Sequence, residues 1–248
     1  MKKILTLLLG IIFLTGCTKD EKTNEADLIN NETPIMGNPI SDFDKNLYST
    51  VIIGAQTWTQ QNLNVSHYSD GTLIPQVTDY YQWITTTKGA WCYYNNNTAN
   101  GNTYGKLYNW YAVAGVYNEA SKKDVSLRKK LAPLGYHIPT KTEWLALTNY
   151  LGMYAAIRMK EAGYKHWQSS NLAKTGTNSS GFIALPGGDA FGLTGEIGTN
   201  GNWWSSTGSI TNFTEIDKWS IHLFSRSDYV SYYDVDINSG LSVRCLKD

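Results

Sequence analysis

The chain has 248 residues, with 21 Lys and Arg against 21 Asp and Glu, so it carries no net charge. That balance excludes the basic stripe needed to displace phosphate counterions, and no nucleic-acid partner is expected. Charged residues make up 17% and aromatics 13%, which points to a core of large rings and a surface rich in Tyr, Asn and Ser.

Met1-Lys2-Lys3 is followed by an apolar run from Ile4 to Leu14. The run is too short to span a bilayer as a helix. A basic start, a short apolar core and a small-residue end make a secretory leader. Leu14-Thr15-Gly16-Cys17 resembles a bacterial lipobox, in which the Cys thiol is diacylated and the chain is cut before it. Residues 1–16 are then a leader and Cys17 carries a lipid that tethers the protein to a membrane surface without spanning it. Residues 17–47 are polar and aperiodic, with Asn30-Asn31, Pro34, Gly37 and Pro39, and read as a flexible tether. Lys19-Asp20-Glu21 resembles the export signal of surface lipoproteins; a plain solvated tether is the alternative.

From Val51 onward the pattern becomes dense, and the length suits one substantial domain or two small ones. Thr50 to Ile53 predicts a strand, Gly54-Ala55-Gln56 a turn and Thr57-Trp58-Thr59 a return strand. Trp91 to Tyr94 predicts a short strand running into a polar loop from Asn95 to Asn102. Leu107 to Val113 has helical spacing and stops at Gly115. Thr140 and Glu143 form a capping box, and Trp144, Leu147 and Leu151 share one helix face before Gly152. A shorter helix is expected over Tyr154 to Glu161. Beyond Gly163 the chain turns often. Trp219, Ile221 and Leu223 then alternate with Ser220, His222 and Phe224, as a half-buried strand does, and Ser242 to Cys245 predicts a final strand. Few helices among short strands and long loops indicate an α+β domain.

Of the three Cys, acylation of Cys17 leaves Cys92 and Cys245. In an oxidising compartment an even remainder suggests one disulfide, which would constrain the unfolded chain by about 4–5 kcal/mol; two buried thiols are the alternative. The four His form no metal or nucleophile motif. His137 reads as structural, and Glu143 as a cap before an acid. Asp234, Asp236 and Asn238 offer hard oxygen ligands, but Gly240 falls one place late for a calcium loop and Cys245 stands where the terminal Glu belongs. No metal and no cofactor are expected. A ligand-binding face is expected at Asn212, Phe213, Arg226, Asp228, Tyr229, Tyr232 and Tyr233, where rigid rings stand beside adaptable polar groups. Solvent-facing strands without function are the alternative reading of that stretch.

The landmarks together resemble one family. They are Val51 to Asn64 with its Ile53-Gly54, Trp58 and Asn62-Leu63, Tyr104-Gly-Lys-Leu-Tyr-Asn-Trp110, Gly135-Tyr-His-Ile-Pro139 to Glu143-Trp144, Gly181 to Gly188, Trp203-Trp-Ser-Ser-Thr207 and Ser242 to Asp248. This order resembles the Fibrobacter succinogenes major paralogous domain, which the resemblance places over residues 48–248. The resemblance implies a fold similar to C-type lectins and to the formylglycine-generating-enzyme domain, with the first and last strands paired. It also implies a Cys92–Cys245 bond, and it places Trp203 and Trp204 in the core rather than on a sugar-stacking platform. The related sulfatase-modifying enzymes use a reactive Cys pair near the last strands, where this chain has only Cys245, so catalysis is not expected. The expected function is a protein lipid-anchored to the outer membrane and facing outward that binds a glycan or protein; the periplasmic face is the alternative location. An assembly role in the envelope or fimbriae, and a diverged enzyme, are the competing functions.

Overall fold

The computed structural model describes residues 33–191, 196–208 and 217–248. The leader, Cys17, the first part of the expected tether, and Asn212 and Phe213 of the expected binding face lie outside those residues. The tether does not extend to residue 47. Strand β1 (Ile35–Ser41) pairs antiparallel with β2 (Leu47–Ile53), and the two are joined by a turn that Asp42 holds by accepting from the Asn46 backbone N–H at 3.0 Å. No residue of β1 is fully buried, so an edge strand of this kind leaves no apolar alternation to read.

A five-stranded sheet runs in the order β1, β2, β3 (Gln56–Thr59), β10 (Leu246–Lys247) and β6 (Tyr136–His137). All its pairings are antiparallel. The chain end thus enters between β3 and β6. The strand lies just after the expected Ser242 to Cys245: only Leu246 and Lys247 are strand, while Leu241 and Ser242 make single bridges to Tyr108 and Trp203. His137 clamps this end, its ring nitrogens lying 2.8 Å from the Asp248 carboxylate and 3.0 Å from that of Glu143. A second sheet has the order β7 (Asn200–Trp204), β8 (Asp217–Phe224) and β9 (Ser231–Asp236), again antiparallel.

Helix α5 (Lys141–Leu151) links the two sheets. Its capping box forms as expected: Thr140 Oγ1 accepts from the Glu143 N–H, and the Glu143 carboxylate accepts from the Thr140 N–H at 2.8 Å. Gly152 ends the helix at φ +76°, a conformation that favours glycine. Trp144 packs on Trp58 at 4.7 Å between ring centroids, and its indole N–H donates to the Trp204 carbonyl. Trp203 and Trp204 are both fully buried and point into different apolar clusters, as alternate strand positions require. The expected half-buried β8 is covered on both faces: Lys218, Ser220 and His222 are as buried as Trp219, Ile221 and Leu223.

Two stretches differ from their sequence reading. The polar loop from Asn95 to Asn102 holds helix α2 (Thr98–Tyr104), started by the Asn97 side chain accepting from the Ala99 N–H. Gly101 lets this helix press against the Tyr93 ring, where a Cβ would sit 2.1 Å from the ring edge. The stretch with helical spacing from Leu107 splits into β5 (Leu107–Tyr108), paired with β4 (Trp91–Cys92), and the four-residue α3 (Trp110–Val113) that Asn109 caps. Helices α1 (Tyr80–Thr85), α4 (Glu119–Lys123) and α6 (Ala155–Met159) are short. The α6 boundaries fall within the expected helix.

The expected Cys92–Cys245 disulfide is absent: both thiols are free and buried. Cys92 sits with Trp83, Ala90 and Leu107 in a small cluster, whereas Cys245 belongs to the main core beside Tyr48 and Val243. The pairing that ties the chain end to the body is instead main-chain and guanidinium chemistry. Cys245 accepts from the Thr59 N–H at 3.0 Å through its carbonyl. Arg244, fully buried, donates to Asn62 Oδ1 at 2.6 Å, to the carbonyls of Thr59 and Phe182 at 2.7 and 2.8 Å, and to that of Ile183 at 2.8 Å. Ile183 stands at φ +53°, which a β-branched side chain avoids, and is held there by Arg244 and by Asn178 accepting its N–H. Burial pulls the Arg244 guanidinium down to about 9, so it remains charged at neutral pH.

Candidate functional site

The end of the second sheet is where the expected binding residues gather. Its frame is Lys160, which follows α6 and is 2% exposed. The ammonium donates to the carbonyls of Phe224 and Ser227 at 2.6 and 2.7 Å and lies 5.1 Å over the Trp167 ring. Desolvation lowers its pKa to about 8. The turn between β8 and β9 is therefore pinned from below. The Ser225 N–H donates to the Thr199 carbonyl, and the Gln168 N–H to that of Gly198, each at 2.7 Å. These bonds hold three loops side by side.

Between those loops opens a polar pocket lined by Gln168, Glu196, Thr199, Asn200, Phe224 and Arg226. Amides, hydroxyls, one carboxylate, one guanidinium and a single ring give it both donors and acceptors for a polar ligand. Arg226 is exposed, and no hydrogen bond or ion pair engages its guanidinium among the described residues. A planar fork without a partner is a ready grip for a carboxylate or for vicinal hydroxyls.

The rest of the expected face divides. Asp228 is used locally, accepting from the Lys174 N–H at 2.6 Å. Tyr229 stacks on Tyr154 at 6.1 Å and Tyr232 on Trp219 at 5.1 Å, where the Tyr232 hydroxyl meets that of Thr148 at 2.8 Å. These two tyrosines line a shallow groove with Asn149 and Met153 from α5 and the turn after it. Tyr233 points to the opposite face of the sheet, edge-on to His222 at 4.9 Å. Arg226 therefore lines one pocket while Tyr229 and Tyr232 line another, and Tyr233 lies 6.4 Å from Phe224 of the Arg226 pocket. Sequence reading missed Lys160, Gln168, Thr199 and Asn200, because a lysine after a short helix looks like a solvated end and the others lie in turns.

The titratable groups elsewhere are engaged in the fold. The His166 ring lies 2.9 Å from the Glu161 carboxylate, and the His67 ring 2.6 Å from that of Asp44. Ser220 and His222 lie 2.7 Å apart, the spacing of a nucleophile and its base. However, both are buried, and the Ser220 hydroxyl also donates to the Tyr233 carbonyl at 3.0 Å. Desolvation drops His222 to about 4, so it stays neutral at pH 7. Among the described residues no three His, Cys, Asp or Glu side chains come together as a metal site, and no helix is long and apolar enough to cross a membrane.

A family model, the Fibrobacter succinogenes major domain, matches residues 51–247. No curated protein and no solved structure matches the chain. The match begins inside β2, so β1 and its turn precede it. It includes the Arg244 knot, the Lys160 frame and the pocket at Arg226.

Proposed function

This chain belongs to the Fibrobacter succinogenes major domain family, and on that premise we propose that it is a lipid-anchored envelope protein whose domain binds a polar ligand without catalysis. The lipobox-like Leu14-Thr15-Gly16-Cys17 supports the anchor. The observation that carries the binding reading is Arg226, a guanidinium without a partner among the described residues, standing on a turn that a buried lysine immobilises. A rigid mount lowers the entropy lost on association, which is how recognition surfaces gain affinity. The ligand is a glycan or a protein segment carrying acceptors that Arg226 can fork. The chain end inserted between β3 and β6 supports a C-type-lectin-like architecture.

The test is a glycan and protein array probed with the whole chain in mild detergent, beside Arg226→Ala and Arg226→Lys. Signal on a polar ligand, lost in Arg226→Ala and weakened in Arg226→Lys, supports the reading. Silence of a folded sample on both arrays overturns it. For the anchor, Cys17→Ser must abolish membrane partitioning. Protease shaving of whole cells reads the outward orientation, the expected one, against the periplasmic face. An assembly role has one observation in its favour: β1 is a sheet edge exposing Ile35 and Met36, at 64% and 55%. A stoichiometric envelope partner in pull-downs, lost on Ile35→Lys, would favour it.

A further inference from the structure

Helix α1 carries a surface of a different kind. Asp79 starts the helix by accepting from the Gln82 N–H at 2.9 Å. Trp83 is the helix's buried residue, and its indole N–H donates to the Asn238 carbonyl. The two tyrosines of the first turn are left outside, Tyr80 at 52% and Tyr81 at 73% exposure. Phe191 leans over both the buried and the exposed rings, 5.0 Å from Trp83 and 5.9 Å from Tyr80, and Tyr80 meets Tyr81 at 5.4 Å. Phe191 stands at φ +58°, unusual for a bulky side chain, next to the Ala190–Gly240 bridge that fixes the chain there. Strain of this kind persists only where the surroundings over-determine it. The ledge of rings therefore has a rigid foundation.

Polar groups border it. Asn95 and Asn96 follow one another in the left-handed region, at φ +49° and +54°, and both are exposed. The Asn96 amide donates to the Thr78 carbonyl at 3.0 Å, which ties this turn to the residues just before Tyr80. The Asn95 amide has no partner among the described residues. Helix α1 carries no charged side chain, and no charged residue occurs between Lys88 and Lys106. The nearest carboxylate in sequence, Asp79, is occupied as the helix cap.

We propose that Tyr80, Tyr81 and Phe191 form a binding site for a neutral, soluble polysaccharide. Exposed phenol rings offer apolar faces to the C–H faces of pyranoses and hydroxyls at their tips. Two rotatable bonds per ring keep the entropy loss small. The Asn95 amide supplies the donors and acceptor that sugar hydroxyls need. With no cation on α1 and none between Lys88 and Lys106, a uronic-acid or sulfated polymer gains nothing from these segments over a neutral one. The rings stand 75° and 49° to one another, which suits a twisted single chain and not a flat crystalline face. The site stands independently of the one at Arg226.

Affinity electrophoresis of the whole chain in mild detergent tests this, with gels containing a mixed-linkage β-glucan, a mannan, a dextran or, as the acidic control, polygalacturonate. Retardation is expected in at least one neutral gel. Tyr80→Ala/Tyr81→Ala should weaken it by about tenfold or more, as loss of a stacking anchor does. Tyr81→Phe should retain it. Tyr81→Ala alone, at the more exposed ring, serves if the double variant melts early. No retardation in any neutral gel, retardation that survives loss of the rings, or retardation in polygalacturonate alone would each overturn the proposal.

Discussion

Arg244 and Lys160 are both buried cations held by neutral carbonyl oxygens instead of carboxylates, and they serve different parts of the fold. Arg244 spends its whole fork inside the five-stranded sheet region, on partners from residues 59, 62, 182 and 183. Lys160 grips two carbonyls of a single surface turn. The first joins distant parts of the chain, so its loss should be felt everywhere. The second stiffens a loop that carries Arg226, so its loss should be felt locally. Planar bidentate geometry suits the knot, and a compact point charge suits the turn. The fold and the candidate site are thus held by the same chemistry at different scales.

The largest effect separates the two. Arg244→Ala should lower stability by about 3–5 kcal/mol, because several buried acceptors lose their donor at roughly 1–3 kcal/mol each. Urea unfolding reads this, and a shift of the whole midpoint is expected. Lys160→Met should cost less, about 1–3 kcal/mol. Its signature should be faster amide exchange confined to residues 225–230, with the first sheet unaffected. Global loosening in Lys160→Met, or a merely local effect in Arg244→Ala, would break the comparison.

Lys160 also brings a pH dependence with a definite sign. Its folded pKa is about 8, against 10.5 for the ordinary side chain. Between those values the unfolded chain binds a proton that the folded chain has shed, so stability rises with pH across that window. The buried hydroxyls of Tyr48, Tyr68 and Tyr108, whose pKa values burial raises, act in the opposite direction above pH 10. The difference in midpoint between wild type and Lys160→Met isolates the lysine, and that difference should shift in favour of the wild type from pH 8 to 10.5.

The contrast also explains what sequence reading can reach. The α5 capping box, the β2–β3 turn and the burial of Trp203 and Trp204 are local or motif-borne, and they are where the residues suggested. The α2 helix is not legible, because Thr-Ala-Asn-Gly-Asn-Thr-Tyr has weak helix propensity and is held by Asn97 and by the fit of Gly101 to Tyr93. Strand β1 hides because an edge with no buried residue carries no alternation. Arg244 lies within a motif, but its partners come from two separate segments. Lys160 reaches carbonyls 64 and 67 residues away, and nothing in its own neighbourhood announces that. Arg226 is legible as an exposed polar group near aromatic rings, though its place in a pocket apart from the Tyr229 and Tyr232 groove requires the sheet.

A smaller effect concerns the second sheet's interior. His222 titrates near 4 in the fold because burial penalises its charge, against 6.5 when unfolded. Its contribution is complete above pH 6.5 and is lost as pH falls toward 4, where the unfolded chain takes up the proton first. His222→Gln should flatten that limb of the stability profile. The Arg244 knot, charged throughout this range, should contribute nothing to the slope.

The smallest expected effect is none at all, and it concerns the cysteines that flank this contrast. Cys245 sits next to Arg244 in the knot and Cys92 in the cluster under Trp83. A bond between them would make the knot covalent and render Arg244 partly redundant, since the crosslink would already restrict the unfolded chain. As free thiols they leave the guanidinium as the tie. Burial drives the Cys92 thiol up to about 12 and that of Cys245 higher still, so neither offers a thiolate at neutral pH. Reductant should therefore leave the melting temperature unchanged, and a maleimide should label both residues in urea but neither in the native state. A mass two hydrogens lighter without reductant, together with a lower melting temperature when it is added, would shift the role assigned to Arg244 onto sulfur.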